Sequence, residues 1–217
     1  MLDVIKRMGF LYWLTWQFLR LHFNLWHRLK VIGAENIPLD GGVILASNHS
    51  SHLDSPPIGI SVPRVTRFVA DIGMNRRFIL LRIFGKALNV IYFKRGETGS
   101  EMIEESVKAL KKGDAVIIYP EGTRSRTGLP STPRTGIIHM ASRAGVPIIP
   151  TRVSGTFEIM PPGSTYHPWG KIQVAFGTPI TIKNPGPELD EKDEFIEEAD
   201  MVMSEILKLP GWYPKST

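Results

Sequence analysis

The chain has no cysteine among its 217 residues. That excludes disulfides, thiolate nucleophiles and cysteine-ligated zinc, though it does not fix a compartment. It also lacks a Gly-x-Ser-x-Gly elbow, so an enzyme-borne serine nucleophile has little support. No internal repeat or low-complexity linker is present. No apolar run is clean enough for a membrane-spanning helix, which needs about 20 predominantly apolar residues. The nearest approach, residues 8–26, is broken by Gln17, Arg20, His22 and Asn24. Lys6 and Arg7 precede it, but no small-residue cleavage site follows, so a signal peptide is not expected.

What is present describes a folded domain. The 42% hydrophobic and 22% charged content is that of a globular chain, and the length suits one domain with a sizeable core. The formal charge of +5 is modest but unevenly placed. Residues 64–95 hold eight arginines and lysines against the single acid Asp71, which suits an anionic partner or a solvated surface. No recognition helix or stacking-aromatic pattern accompanies them, so nucleic acid is not expected as a partner. Residues 188–205 lean acidic and offer the basic residues an internal partner.

Residues 8–26 carry Trp13, Trp16 and Trp26 among Phe, Leu and Tyr, flanked by basic residues. This composition suits one or two helices lying in a bilayer interface, the alternative being an ordinary helix packed on the core. Residues 1–30 are therefore expected to associate with membrane, and 31–217 to form the main domain. Short alternating or apolar runs at 43–46, 67–71, 90–93, 115–119, 148–153 and 172–176 predict strands. Helices are expected near 56–61, 74–86, 100–112, 135–144 and 189–208, the third with acid early, base late and Gly113 at its end. Strands alternating with helices predict an α/β fold: one mostly parallel mixed sheet flanked by helices. Its strand-end loops would carry the site.

Two of those loops carry chemistry. In Asn48-His-Ser-Ser-His-Leu-Asp54, His49 is a candidate general base and Asp54 the carboxylate that orients it. On a continuous helix residues five apart point about 140° away from each other, so the pair needs a strand-to-helix turn. Asp54 before Ser-Pro-Pro also reads as a plain helix N-cap, and His52 is a competing base without a partner at a suggestive spacing. The second loop is Tyr119-Pro-Glu-Gly-Thr-Arg-Ser125. Gly122 allows close approach of a ligand, Thr123 and Ser125 can donate, and Arg124 can fork onto a phosphate or carboxylate. Glu121 beside a phosphate would be costly unless it contacts a hydroxyl or holds Arg124. A surface turn with an internal Glu–Arg pair is the alternative. Val146-Pro-Ile-Ile-Pro150 reads as a buried edge or wall.

Asn48-His-x-Ser-x-x-Asp54, Arg95 after Ile91-Tyr-Phe-Lys, Tyr119-Pro-Glu-Gly-Thr-Arg-Ser125 and Val146-Pro-Ile-Ile-Pro150 together resemble the four ordered blocks of the glycerolipid acyltransferases. The 1-acylglycerol-3-phosphate acyltransferases are the nearest match. The resemblance implies that His49 deprotonates the sn-2 hydroxyl of 1-acylglycerol-3-phosphate, which attacks the thioester of acyl-CoA or acyl-acyl-carrier-protein to give phosphatidic acid. It implies Asp54 behind His49, and Arg95, Glu121, Gly122, Thr123 and Arg124 as acceptor-binding residues, with Arg124 on the phosphate. It further implies Val146, Pro147, Ile148 and Pro150 as pocket wall, no metal or cofactor, and a location on the cytoplasmic face of the cell membrane. Two positions depart from the family pattern: Asn89 stands where glycine is common, and Asp71 where lysine is common. Asp71 would repel a phosphate, so a different lysolipid or glycerol-3-phosphate is the alternative acceptor. A hydrolase and a non-catalytic membrane- or lipid-binding module are the alternatives of other kinds.

Overall fold

A computed structural model describes residues 9–71, 90–93, 100–182 and 191–214. The helix expected near 74–86, Asn89, Arg95 and most of the basic run lie outside those residues.

Among the described residues seven strands form one sheet: β1 (Lys30–Ile32), β2 (Val43–Ser47), β3 (Thr66–Asp71), β4 (Val90–Phe93), β5 (Ala115–Ile118), β6 (Ile148–Ser154) and β7 (Gln173–Phe176). Their order across the sheet is β1-β7-β6-β2-β5-β3-β4. All neighbours pair in parallel except β6 and β7. β7 and its partner β1 therefore run against the other five strands, and the mostly parallel mixed sheet expected from the sequence is the one observed.

Alternate residues of each central strand feed opposite cores, as a period of two requires. Ile44, Ala46, Val116 and Ile118 face α3 (Ser100–Lys111), α4 (Gly136–Ala144) and α6 (Glu191–Lys208). Val43, Leu45, Ala115 and Ile117 face α1 (Phe10–His27), α2 (Ser55–Ser61) and the short α5 (Thr156–Ile159). Both faces of β2 and β5 are thus covered, which is why these strands read as unbroken apolar runs rather than as polar–apolar alternation.

The N-terminal aromatic segment is one helix with two unlike faces. Tyr12, Phe23 and His27 are buried, and the indole of Trp16 donates to the Gly59 carbonyl at 3.3 Å. Phe10, Leu14, Phe18, Leu21 and Leu25 lie on the other side, each close to half exposed or more. Among the described residues no helix is long and apolar enough to cross a membrane.

The end of α1 is also held by the loop that precedes β7. Tyr166 Oη lies 2.8 Å from His22 Nε2 and 2.6 Å from His27 Nε2. One phenol can donate to one ring and accept from the other, which requires at least one ring to carry its proton on Nε2. Burial lowers the pKa of both histidines below the ordinary 6.5. A cation disfavoured in the folded state is taken up first by the unfolded chain, so stability falls as pH drops below 6.5 and levels off only beneath the folded values. Urea unfolding measured from pH 7.5 downward should show this slope (pH about 7.5 to 5, spanning the ordinary histidine range). His27→Asn should flatten it.

Candidate active site

β2 and β5 end side by side, and the loops that leave them build one site. The register Ala46↔Ile118 brings residues 48–54 next to Tyr119–Ser125. The two loops are joined directly, since Ser125 N–H donates to the His49 carbonyl at 2.8 Å.

After β2 the chain makes a turn and enters α2. The turn brings His49 back to Asp54, as the spacing of five requires: Nδ1 and Asp54 Oδ2 are 2.8 Å apart. Asp54 occupies the N-cap position of α2, but its own backbone is helical and its side chain makes no capping bond. Its carboxylate turns toward the His49 loop instead. Oδ2 also accepts the backbone N–H groups of Ser50 (2.8 Å) and Ser51 (2.9 Å), and Oδ1 accepts the hydroxyl of Thr156 at 2.5 Å. Asp54 is fully buried, and these four donors stabilise its charge there.

A carboxylate oxygen only accepts, so His49 Nδ1 is the donor of this bond, and in the neutral form of the ring the lone pair is on Nε2. The side chain of His49 remains 18% exposed. The ring lies flat on Tyr119, with centroids 3.8 Å apart and planes 13° from parallel. Tyr119 is held in turn by Ser55, whose Oγ is 2.6 Å from the phenol. Burial raises the Tyr119 phenol well above its ordinary value, the nearby Asp54 charge adds to this, and the Ser55 bond opposes it. The stacking partner of His49 is therefore a neutral phenol across the working pH range.

Glu121 is nearly as buried as Asp54. Its Oε1 accepts the His49 backbone N–H at 2.7 Å, and its Oε2 accepts the N–H (2.8 Å) and hydroxyl (2.9 Å) of Ser131. The carboxylate meets a hydroxyl, one of the two conditions the sequence set for it. Gly122 follows at φ 68°, and its N–H closes a turn on the Tyr119 carbonyl at 3.0 Å. A Cβ there would stand 2.9 Å from Nε of Arg134, whose side chain crosses over this glycine. Thr123 is exposed and Arg124 half-buried on the same loop.

Three supports have no role assigned from the sequence, although Asn48 and Ser51 belong to the quoted Asn48–Asp54 block. Asn48 accepts the Val153 N–H and donates to the Val153 carbonyl, each at 2.9 Å, so its side chain pins the end of β2 to β6. Ser51 Oγ donates to the Met160 carbonyl at 2.7 Å. Thr156 reaches Asp54 because Gly155, at φ 92°, turns the chain out of β6 in a conformation that favours glycine. A Cβ on Gly155 would lie 1.9 Å from the Lys171 carbonyl oxygen. The only signal for this support is a Gly-Thr pair at a strand exit.

Thr156→Val strips Asp54 Oδ1 of its donor without changing side-chain volume much. A lost bond to a buried charge should cost about 1.5–3 kcal/mol of stability. Turnover should fall about tenfold as the His49 orientation loosens. Urea midpoints and kcat would record both effects, and Thr156→Ser should restore both.

The remaining candidates are spread more widely. In the β2–β6 register Ile44 faces Ile148 and Ala46 faces Pro150. Pro150 thus stands opposite the residue three positions before His49, whereas Val146 and Pro147 lie at the opposite end of the strands. Ile148 is buried in the core beneath α3, α4 and α6. Of the basic residues at 64–95, Arg67 pairs with Asp114 at 2.5 Å and Arg64 donates to the Pro38 and Gly113 carbonyls. Asp71 ends β3, half-buried.

The chain resembles known proteins over this same region. It is 31% identical over 163 residues to a chloroplastic 1-acyl-sn-glycerol-3-phosphate acyltransferase of Arabidopsis thaliana, covering 71% of this chain and 44% of that protein. It is 26% identical over 165 residues to the 1-acyl-sn-glycerol-3-phosphate acyltransferase of Bacillus subtilis, covering 75% of this chain and 78% of that one. The chain spans less than half the length of the two plant relatives it matches. Its fold is similar to the crystal structure of the 1-acyl-sn-glycerophosphate (LPA) acyltransferase PlsC from Thermotoga maritima. The TM-score is 0.71 at 25% identity, over 91% of this chain and 80% of that one. The Acyltransferase family itself matches residues 28–154, from the turn before β1 to the last residue of β6. On that span the chain belongs to the Acyltransferase family.

Proposed function

We propose that this chain is a 1-acylglycerol-3-phosphate O-acyltransferase. It moves a fatty acyl group from acyl-CoA or acyl-acyl-carrier-protein to the sn-2 hydroxyl of 1-acylglycerol-3-phosphate, giving phosphatidic acid. The observation that carries the reading is the exposed edge of His49, fixed through Nδ1 by a buried, fully hydrogen-bonded carboxylate. Such a ring is oriented to take a proton at Nε2.

Nε2 removes the hydroxyl proton as the oxygen attacks the thioester carbonyl. Asp54 stabilises the imidazolium that results. The tetrahedral intermediate collapses with cleavage of the carbon–sulfur bond, and the imidazolium returns its proton to the leaving thiolate. No acyl-enzyme is needed, in keeping with the absent cysteine. Arg95, Gly122, Thr123 and Arg124 bind the acceptor, with Arg124 on the phosphate, and Arg134 adds positive charge beside Gly122. Glu121 serves this group by holding the loops rather than by facing the phosphate. Of the Val146–Pro150 block, Pro150 serves as the wall, while Val146 and Pro147 lie at the other end of the strands and Ile148 in the core.

Residues 1–30 are the membrane-associating segment in this reading and 31–217 the acyltransferase domain. The exposed stripe of α1 seats in the cytoplasmic surface of the cell membrane, where a lysolipid acceptor and a water-soluble donor meet.

A thiol-release assay tests the function. Acyl-CoA and acyl-acyl-carrier-protein are each supplied with 1-acylglycerol-3-phosphate, glycerol-3-phosphate, a choline lysophospholipid or no acceptor. Release should require 1-acylglycerol-3-phosphate, with phosphatidic acid as the product. Equal release without acceptor would make the chain a hydrolase. Release with another acceptor alone would move the headgroup assignment, as Asp71 would favour. Vesicle binding with no release would leave a binding module.

A further inference from the structure

The loop between α5 and β7 holds the most exposed large aromatic among the described residues, and neither the proposed chemistry nor the family match uses it. Trp169 is 77% exposed, and Tyr166 on the same loop is 39% exposed. An indole left in water forfeits most of the stabilisation its burial would give. In the sequence Pro161-Pro-Gly-Ser-Thr-Tyr-His-Pro-Trp-Gly-Lys171 the chain supplies two aromatics, a cation and no acid.

The loop's position gives it a partner. Tyr166 bonds to His22 and His27, and the His22 ring stacks on Trp26 with centroids 5.4 Å apart. Phe18, His22 and Trp26 are spaced by four and form one row on α1. Tyr166 is therefore fastened to the row that adjoins the exposed Leu21 and Leu25. Further along, Ile172 N–H donates to the His27 carbonyl at 3.0 Å, and Lys30 N–H donates to the Ile172 carbonyl at 2.9 Å. Lys171 thus lies beside Arg28 and Lys30, at the end of the apolar stripe. Exposed indole and phenol next to clustered cations match the interface of an anionic bilayer: rings at the headgroup level and ammonium groups on phosphates.

We infer that the loop 161–171 is a second membrane contact, with Trp169 entering the bilayer interface and Lys171, Arg28 and Lys30 engaging anionic headgroups. It rests on the reading of α1 as the membrane-facing helix. It also goes beyond that reading, because it joins an element downstream of the site to the bilayer. Met160, at the start of this loop, accepts the Ser51 hydroxyl beneath the His49–Asp54 pair. The second contact therefore fixes the distance between the site and the lipid surface from two sides.

The absence of cysteine makes the test clean. Full-length variants Trp169→Cys, Phe18→Cys and Met201→Cys are each labelled with a nitrobenzoxadiazole dye. They are mixed with vesicles of phosphatidylcholine plus phosphatidylglycerol. Met201 is exposed on α6, across the sheet from α1. The dye should shift to the blue and resist aqueous quenchers at 169 and 18, and stay water-like at 201. A shift at 18 with none at 169 overturns the loop contact and leaves the α1 reading standing. No shift at either position overturns both, and a shift at 201 as well reduces the signal to non-specific adsorption. In unlabelled protein Trp169→Ser should weaken vesicle affinity about tenfold while Trp169→Tyr keeps most of it. Lys171→Gln should cost about fivefold on anionic vesicles and nothing on phosphatidylcholine alone. Loss on both vesicle types would refute the headgroup role.

Discussion

On the proposed reading His49→Ala should lower kcat by about a hundredfold to ten-thousandfold, the range a positioned general base supplies, and should leave the fold standing. The fold survives because the ring is partly exposed and its backbone bonds do not depend on the side chain: the His49 N–H still reaches Glu121, and its carbonyl still accepts Ser125. Asp54→Asn should approach the same loss by a different route. An asparagine can keep its oxygen where Oδ2 now accepts three N–H groups. Its amide would then face Thr156, whose hydroxyl can turn from donor to acceptor. Geometry and tautomer persist, and only the charge behind the imidazolium is lost. Thiol release with saturating substrates, beside far-UV circular dichroism, measures both variants. An Asp54→Asn enzyme of full activity would show that the carboxylate only positions the ring.

Glu121→Gln is expected to fail as a conservative change, and the contrast with Asp54 is instructive. Both oxygens of Glu121 accept backbone N–H groups, one from His49 and one from Ser131. Glutamine has one acceptor, so one of those N–H groups must face an NH2 in a buried place. An orphaned donor there costs about 1–3 kcal/mol, and the loop that presents His49 separates from the loop that presents Arg124. Urea unfolding should show the loss of stability, and activity should fall in parallel. A fully stable but inactive Glu121→Gln would instead point to direct contact between this carboxylate and substrate.

Much of this was readable from the sequence where the physics is local. β2, β5 and β6 are short apolar runs bounded by Gly, Pro and polar turns, and α3 announces itself by its charge order and Gly113. His49 and Asp54 lie five residues apart, so one turn decides their meeting. β1 was not readable: three residues with Lys30 and an exposed Val31 carry no pattern, and only Gln173–Ala175 makes them a strand. Nor does periodicity reveal that β7 runs backward. Asp54 was ambiguous because a helix N-cap and a base-orienting carboxylate share the same sequence, and backbone geometry separates them. Thr156 was invisible, since an ordinary threonine 102 residues from Asp54 acquires its place only when β6 lies beside β2.

The strand order has a consequence for how the chain is made. Lys30–Ile32 emerges early but among the described residues pairs only with Gln173–Ala175, and the central β2 pairs with Ile148–Thr151 on one side. Pairings of such sequence separation form slowly. A chain leaving the ribosome therefore presents the aromatic stripe of α1 long before its sheet can close. A nascent chain halted after Ser154 would keep its aromatic helix, leave β1 without a partner and lack Thr156, so the support of Asp54 is completed last although His49 is synthesised early.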